Sequence, residues 1–344
     1  MAQNRLSAIA LEIGSVEAYA IDDYVQGRPV DIRRAVANNG YWIWDTEEFL
    51  ALLDVWKDYN AAHREDPVHV LGADQPQTAQ AVDYVVAAAA RLQLDAETVK
   101  LLGLLREKRA AAITEMSRES IDRILSALGD AIGSGEVDSF DSQRARDVIA
   151  AVSVRNRILA SSKQGVYKNA QRDRAIAEML ASYAAVRQDR SVAFLGHNVH
   201  VMNLPDKSPP PAGVHLRQML RSEYVSIGVF ALDGETRAWD AGLAVGVIPQ
   251  RLEPTPDTSF AGAFAAGTPA ERICFWNREL PLVAREWLKV PRAVRGFGPT
   301  FVAGEEAYQH LPMATAVDAA ILLRNVQPTT PTMTGVRKRG PGGP

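Results

Sequence analysis

Short apolar runs bounded by turn residues recur along the chain: AIALEI (8–13), VHVLG (68–72), VAFLG (192–196), VSIGVF (225–230), RICF (272–275) and AAILL (319–323). Runs this continuous, with little polar alternation, predict strands buried on both faces of a parallel sheet. Between them, apolar positions recur at helical spacing over 46–62, 77–93, 95–129, 141–163, 170–187 and 213–221. Strands that alternate with helices predict an α/β fold with a mainly parallel sheet flanked by helices. Residues 77–187 carry almost no strand signal and are read as a large helical subdomain inserted between sheet strands, longer than a βα connection requires.

Punctuation sharpens this outline. Thr46 stands before Glu47 and Glu48, a plausible N-cap followed by two carboxylates suited to a helix dipole. PDKSPPPA (205–212) is a breaker-rich loop that can neither continue a strand nor start a helix early. From Pro328 onward the composition is Pro, Thr and Gly with basic residues, so residues 1–327 read as one α/β domain and 328–344 as a disordered tail. No internal repeat is present.

Composition excludes several classes. The 344 residues, 47% hydrophobic, can bury a full core. A formal charge of −3 leaves no basic stripe for phosphate backbones, and the longest basic run, VRKR at 336–339, lies in the tail, so nucleic acid is not an expected partner. The lone cysteine, Cys274, excludes an internal disulfide and a cysteine zinc cluster; it is read as a buried structural thiol. The apolar run near the N-terminus is broken by Glu12 and too short for a signal h-region, and no segment reaches the roughly 20 apolar residues of a membrane span. The expectation is a cytoplasmic protein without a membrane partner; nothing in the pattern fixes an oligomeric state.

His197 and His200 follow VAFLG, at or just past the C-terminal end of a buried strand, the edge where open α/β sheets bind ligands. If the chain turns after Gly196, both imidazoles can face one cleft; on an extended strand they would point apart. The spacing is one short of the HisGluXaaXaaHis zinc helix and lacks its Glu, so a metal is possible but not indicated. Glu12 places a carboxylate inside an apolar strand, where it needs a partner, unless it sits at the strand's exposed end and merely caps a helix. A Glu and a His at neighbouring strand edges would make a general acid–base pair.

Other residues fall on the same edge. Trp44 and Asp45 of WIWDTEE (42–48) could line a cleft wall or belong to the core, and Asp74 of LGADQPQ (71–77) follows a strand but could equally make an Asx turn. Asn198, between the histidines, joins Trp44, Asp45 and Asp74 as a candidate substrate contact. RDR at 172–174 is an ion-pair network facing the sheet edge or a solvated face; His63, His69 and His310 have no constellation around them and are read as structural or exposed. There is no GlyXaaSerXaaGly elbow, no Walker loop and no Rossmann glycine fingerprint, which disfavours serine hydrolases and nucleotide enzymes.

In order, ALEIG (10–14), WIWDTEE, GADQPQ (72–77), RDRAIAE (172–178), GHNVHV (196–201), GVHLR (213–217), YVSIG (224–228), RAVRGFGP (292–299) and DAAILL (318–323) resemble the erythromycin esterase family over roughly residues 8–325. The resemblance implies a parallel α/β sheet with a helical insertion and hydrolysis of an ester or lactone, in resistance enzymes that of macrolides; other members are associated with polysaccharide production. It places Glu12, His197 and His200 in the active site. The implied chemistry is general-base activation of water, attack on the ester carbonyl and stabilisation of the oxyanion, with no cofactor or metal required. The family's opening strand with its GlyGluXaaXaaHisGly turn, which supplies the histidine usually proposed as the base, has no counterpart after Met1. The chain is therefore expected to be a carboxylic ester hydrolase of diminished activity or a shortened, non-catalytic small-molecule-binding paralogue.

Overall fold

The computed structural model describes residues 5–74, Ala96, 165–186, 190–240, 246–296 and 298–332. Contacts divide the chain into two compact units, one of residues 1–40 and 52–195, the other of residues 41–51 and 196–344.

The first unit is built on β1 (Arg5–Gly14), followed by α1 (Ser15–Val25), α2 (Ile32–Asn38), α3 (Glu47–Ala62, whose residues up to Ala51 belong to the second unit), β2 (His69–Asp74), α4 (Gly165–Val186) and β3 (Arg190–Leu195). β1 lies between β2 and β3 and pairs in parallel with both, Ile9 opposite Val70 and Ala193, Leu11 opposite Gly72 and Leu195. Its run Ser7–Gly14 is buried throughout, as expected of a strand covered on both faces. β3 is less enclosed than its apolar sequence predicts, with Leu195 exposed.

α1 was not legible as a helix, because its inward stripe mixes Ala18, Ile21 and Val25 with the buried polar residues Ser15, Glu17 and Asp22. Asp22 accepts the backbone N–H of Val70 at 2.9 Å and meets Nδ1 of His69 at 3.2 Å. Asn60 accepts the N–H of Val68 at 2.8 Å and donates to the carbonyls of Val68 and Val25 at 2.8 and 3.1 Å. Polar side chains thus satisfy the backbone at the start of β2 on the edge away from β1. His69, expected to be structural or exposed, is structural.

Gly72 is required by close approach: a Cβ there would lie 2.3 Å from the carbonyl oxygen of Gly14 and 2.7 Å from Cα of Ser15, where β1 turns into α1. The Tyr183 hydroxyl donates to the Gly72 carbonyl at 3.0 Å, so α4 closes on the same point.

The second unit contains α5 (Asn198–Val201), α6 (Ala212–Leu220), β4 (Ile227–Ala231), β5 (Gly234–Trp239), β6 (Val247–Leu252), α7 (Phe260–Ala265), β7 (Arg272–Trp276), α8 (Leu282–Lys289), β8 (Arg292–Arg295), β9 (Tyr308–Leu311), α9 (Met313–Ala316) and β10 (Ala319–Leu323). β10 pairs in parallel with β4 and antiparallel with β7; β5–β6 and β8–β9 are antiparallel pairs. All six apolar runs are therefore strands, but β7 and the four hairpin strands bring antiparallel pairing that the apolar-run pattern does not reveal.

The core of this unit is aromatic: Phe260 packs edge-on to Phe230 at 5.3 Å and to Phe264 at 5.7 Å, and Phe264 stacks on Phe275 at 4.3 Å. Ile273 and Phe275 pack against the buried cluster while Cys274, between them on β7, is exposed, so the expected buried thiol is corrected by strand alternation.

Thr46 caps α3 as expected, its Oγ1 accepting the Phe49 N–H at 3.2 Å. The tail boundary shifts: Thr330 accepts the Glu47 N–H, Pro331 bridges Thr46, and Thr332 is buried against Asp45. Of the expected insertion, Gly165–Val186 is helical and 77–164 lies outside the described residues apart from Ala96; so does 333–344 of the tail.

Gly72→Ala should cost at least about 2 kcal/mol through overpacking against fixed backbone. Gly296→Ala, with nothing within 4 Å of its Cβ position, should stay within about 0.5 kcal/mol of the parent. Urea denaturation of the two variants checks the contrast.

Candidate active site

Among the described residues, the first unit gathers charge at the C-terminal ends of β1 and β2. Glu12 stands two residues before the end of β1 and Asp74 ends β2, in register with Gly14. Both carboxylates are buried. Arg172, from α4, lies between them: Nη2 donates to Glu12 Oε1 at 2.7 Å, Nε to Asp74 at 3.0 Å and 3.1 Å, and Nη2 to Asp74 Oδ2 at 2.5 Å.

The helix delivers Arg172 because Asp173, Ile176, Ala177 and Leu180 form its buried stripe and set Arg172 at its inner edge. Arg174 points outward and pairs with Glu178 at 2.9 Å. The two readings of RDR are thus both present, one in each arginine. Burial works against the Arg172 charge, but Asp74 and Glu12 outweigh it and raise its pKa above the ordinary arginine value. The partner that Glu12 requires is a guanidinium.

The second unit carries the histidines. His197 follows β3 by two residues and caps α5, its Nδ1 accepting the Val199 N–H at 3.2 Å. A ring nitrogen that accepts is bare, so the neutral imidazole carries its proton on Nε2 and offers that N–H as a donor. His197 is exposed, whereas His200 is buried; their rings meet edge to face at 6.4 Å between centroids. The turn after Gly196 that the histidine pair needs is therefore made, as a short helix.

Several polar contacts hold that turn. Asn198 donates to the Val229 carbonyl at 2.6 Å and accepts its N–H at 3.1 Å, pairing with β4 as a strand would. Tyr224 and Ser226 both donate to the Val201 carbonyl, Ser226 at 2.7 Å. Gly213 lets α6 approach, since a Cβ there would lie 2.4 Å from the Met202 oxygen. Burial pushes the Tyr224 hydroxyl up to about 12, with Asp318 adding to the rise against Ser226 and Arg217, so it remains a donor at neutral pH.

The expected substrate contacts have other partners. Asn198 is engaged by β4, and Asp45, fully buried, accepts the Thr332 hydroxyl and N–H. Trp44, partly buried, packs on Phe49 at 5.0 Å. Asp74 belongs to the Arg172 cluster. The residue that sequence reasoning left undecided is Arg172; RDRAIAE marked the segment but not its partners. Among the described residues no group of three or more His, Cys, Asp or Glu could hold a metal ion, and no helix is long and apolar enough to cross a membrane.

The family model for erythromycin esterase matches residues 1–326. The sequence matches no curated protein. In fold it is similar to a Bacillus cereus protein, at 18% identity and a TM-score of 0.82 over 95% of this chain and 83% of that one. It is similar to a succinoglycan biosynthesis protein, at 17% identity and a TM-score of 0.76 over 95% and 81%. A mutant of the erythromycin esterase EreC in its open conformation gives 16% identity and a TM-score of 0.63 over 93% and 83%. At such identities the likeness is one of fold.

Arg172→Met leaves two buried carboxylates without their cation and should destabilise the protein by about 3–5 kcal/mol. Arg172→Lys should recover only part of this, because an ammonium cannot span both carboxylates as the fork does; guanidinium chloride unfolding at neutral pH measures both. For Tyr224, the folded-state pKa lies above the unfolded value of 10, so its contribution is intact below about pH 10 and fades as pH rises toward 12. Tyr224→Phe should flatten the fall in thermal stability across that window, with the slope left by Tyr24, also near 12 through its bond to Asp54, as the internal reference.

Proposed function

Because the chain belongs to the erythromycin esterase family, we propose that it is a carboxylic ester hydrolase in which Glu12, His197 and His200 serve the reaction. The observation that carries this reading is the Glu12–Arg172–Asp74 cluster. A carboxylate held in a buried ion pair at the ligand edge of a sheet stays charged and fixed in orientation, which suits it to accept a hydrogen bond from a bound water and position it for attack.

In the proposed reaction a water gives a proton to the base as its oxygen bonds to the ester carbonyl carbon. The carbonyl oxygen takes the negative charge and is stabilised by donors. Collapse breaks the bond from carbon to the alcohol oxygen, which leaves with a proton, and the carboxylic acid is released. His197, bare at Nδ1 through Val199, is suited to donate from Nε2 to the oxyanion or the leaving oxygen. Proton acceptance then falls to Glu12 or His200. Asp74 and Arg172 act as positioning residues, since they hold Glu12.

The substrate class is an ester or lactone with bulky oxygenated flanks. Macrolide lactones are favoured by the resemblance to resistance enzymes. Acylated sugars are the other candidates, favoured by the higher TM-score with the succinoglycan biosynthesis protein than with EreC.

An aryl acetate, a 14-membered macrolide and an acylated disaccharide, each incubated with the full chain and followed by mass spectrometry, test the proposal. Hydrolysis of at least one above the buffer rate is expected, with Glu12→Gln and His197→Ala each lowering kcat/KM by about 10²–10⁴. Unchanged turnover in both variants, or no hydrolysis of any of the three, would sink the assignment.

A further inference from the structure

A second guanidinium is enclosed without the partners that a buried charge demands. Arg237, on β5, is 9% exposed, and Nη1 is sealed from solvent with no hydrogen-bond acceptor. Among the described residues its guanidinium forms no hydrogen bond at all. The other enclosed arginines of the second unit do: Arg295 donates to the carbonyls of Leu232 and Glu253 and to Tyr308, and Arg324 to the carbonyls of Ala265 and Thr268. Arg217 donates to Asp318 and to the Tyr224 carbonyl.

The surroundings of Arg237 explain its position without satisfying it. Glu48 and Asp45 act on it through space without bonding it: each Glu48 oxygen lies 2.9 Å from the Thr330 nitrogen, and Asp45 accepts the Thr332 hydroxyl at Oδ1 while its buried Oδ2 has no hydrogen bond among the described residues. Burial lowers the Arg237 pKa, and the two carboxylates restore it only in part. The guanidinium carbon lies 5.8 Å from the centre of the Trp42 ring. A planar cation with donors to give, held over an indole, has the chemistry of a site for an oxyanion: the fork matches carboxylate or phosphate, and the indole holds the guanidinium in place.

From this geometry we infer that Arg237 and Trp42 form an anion-recognition site for a carboxylate- or phosphate-bearing ligand. The site is separate from the residues assigned to ester hydrolysis and does not depend on that assignment. Filling it would give the buried guanidinium its missing acceptors.

Isothermal titration of the full chain with benzoate, phenyl phosphate and benzyl alcohol tests this, the first two differing only in the oxyanion and the third lacking it. Binding of benzoate or phenyl phosphate is expected, with benzyl alcohol binding at least about tenfold more weakly. The better of the two anions identifies the group recognised. Arg237→Leu should weaken the anion by about tenfold or more, and Trp42→Leu should weaken it while the charge remains. If circular dichroism shows Arg237→Leu unfolded, Arg237→Lys replaces it, with the same loss expected because the fork is gone. No binding of either anion to the parent chain, equal binding in the Arg237 variant that folds, or benzyl alcohol binding as tightly as the anions would each overturn the inference.

Discussion

The first unit turns on the two-sided grip of Arg172 on Glu12 and Asp74. Two carboxylates buried at the ends of adjacent strands cannot stay charged without a cation, and a cation can reach both only if α4 lies across the strand ends. The fork bonds Asp74 through two nitrogens and Glu12 through one, so it fixes orientation as well as charge. β1, β2 and α4 are thereby held in one arrangement at the edge where α/β sheets take their ligands. Gly72 and Tyr183 support the same contact from behind, one by bringing β2 against the end of β1 and the other by tying α4 to β2.

A second device recurs in both units: side chains stand in for backbone partners where small sheets end. Asn60 and Asp22 complete the start of β2, Asn198 pairs with the edge of β4, and Asn277 donates to the carbonyls of Met313 and Val317 around α9. Asp318 accepts the Ser226 N–H and the Arg217 guanidinium, joining β4, β10 and α6. At the buried positions, those of Asn60 and Asp22 at β2 and Asn277 around α9, each bond satisfies a group that would otherwise cost about 1–3 kcal/mol. The consequence for the histidines is direct, since α5 is only four residues long and has no helical stability of its own. Its geometry comes from Asn198, Tyr224 and Ser226.

What the sequence made legible follows the strength of each signal. Six continuous apolar runs became six strands, but only β1 is buried along its length from Ser7 onward, while β4 and β7 alternate outward and inward positions despite their apolar sequence. β5, β6, β8 and β9 escaped notice because half-buried strands with charged positions resemble loops, and α1 because Asp22 and Glu17 lie on its buried face. Glu12 could be picked out as an anomaly, a carboxylate in an apolar strand. Its partner could not, because Arg172 is 160 residues away and nothing local in RDRAIAE separates Arg172 from its solvated neighbour Arg174. Asp45 and Asn198 were drawn to the ligand edge by position, yet position is also what gives them structural partners in Thr332 and Val229.

Arg172 and Arg237 show how the same side chain divides between scaffold and recognition. Burial disfavours both charges, but at Arg172 two bonded carboxylates reverse the effect and the pKa rises, whereas at Arg237 the carboxylates act only through space and the pKa falls. Against burial at Arg172 the charge of Asp74 acts most strongly and its hydrogen bonds add to it, followed by Glu12, whereas at Arg237 the field acts without any hydrogen bond among the described residues and the donor retains its desolvation penalty. Removing Arg172 strands two acids that depend on it. Removing Arg237 breaks no such bond, since Glu48 is bonded to Thr330 and Asp45 to Thr332, but it takes the nearby positive charge from Asp45, whose buried Oδ2 has no hydrogen bond among the described residues. Arg237 therefore acts on its neighbours through the field alone and keeps a donor without an acceptor among the described residues, which is the feature an anionic ligand would complete.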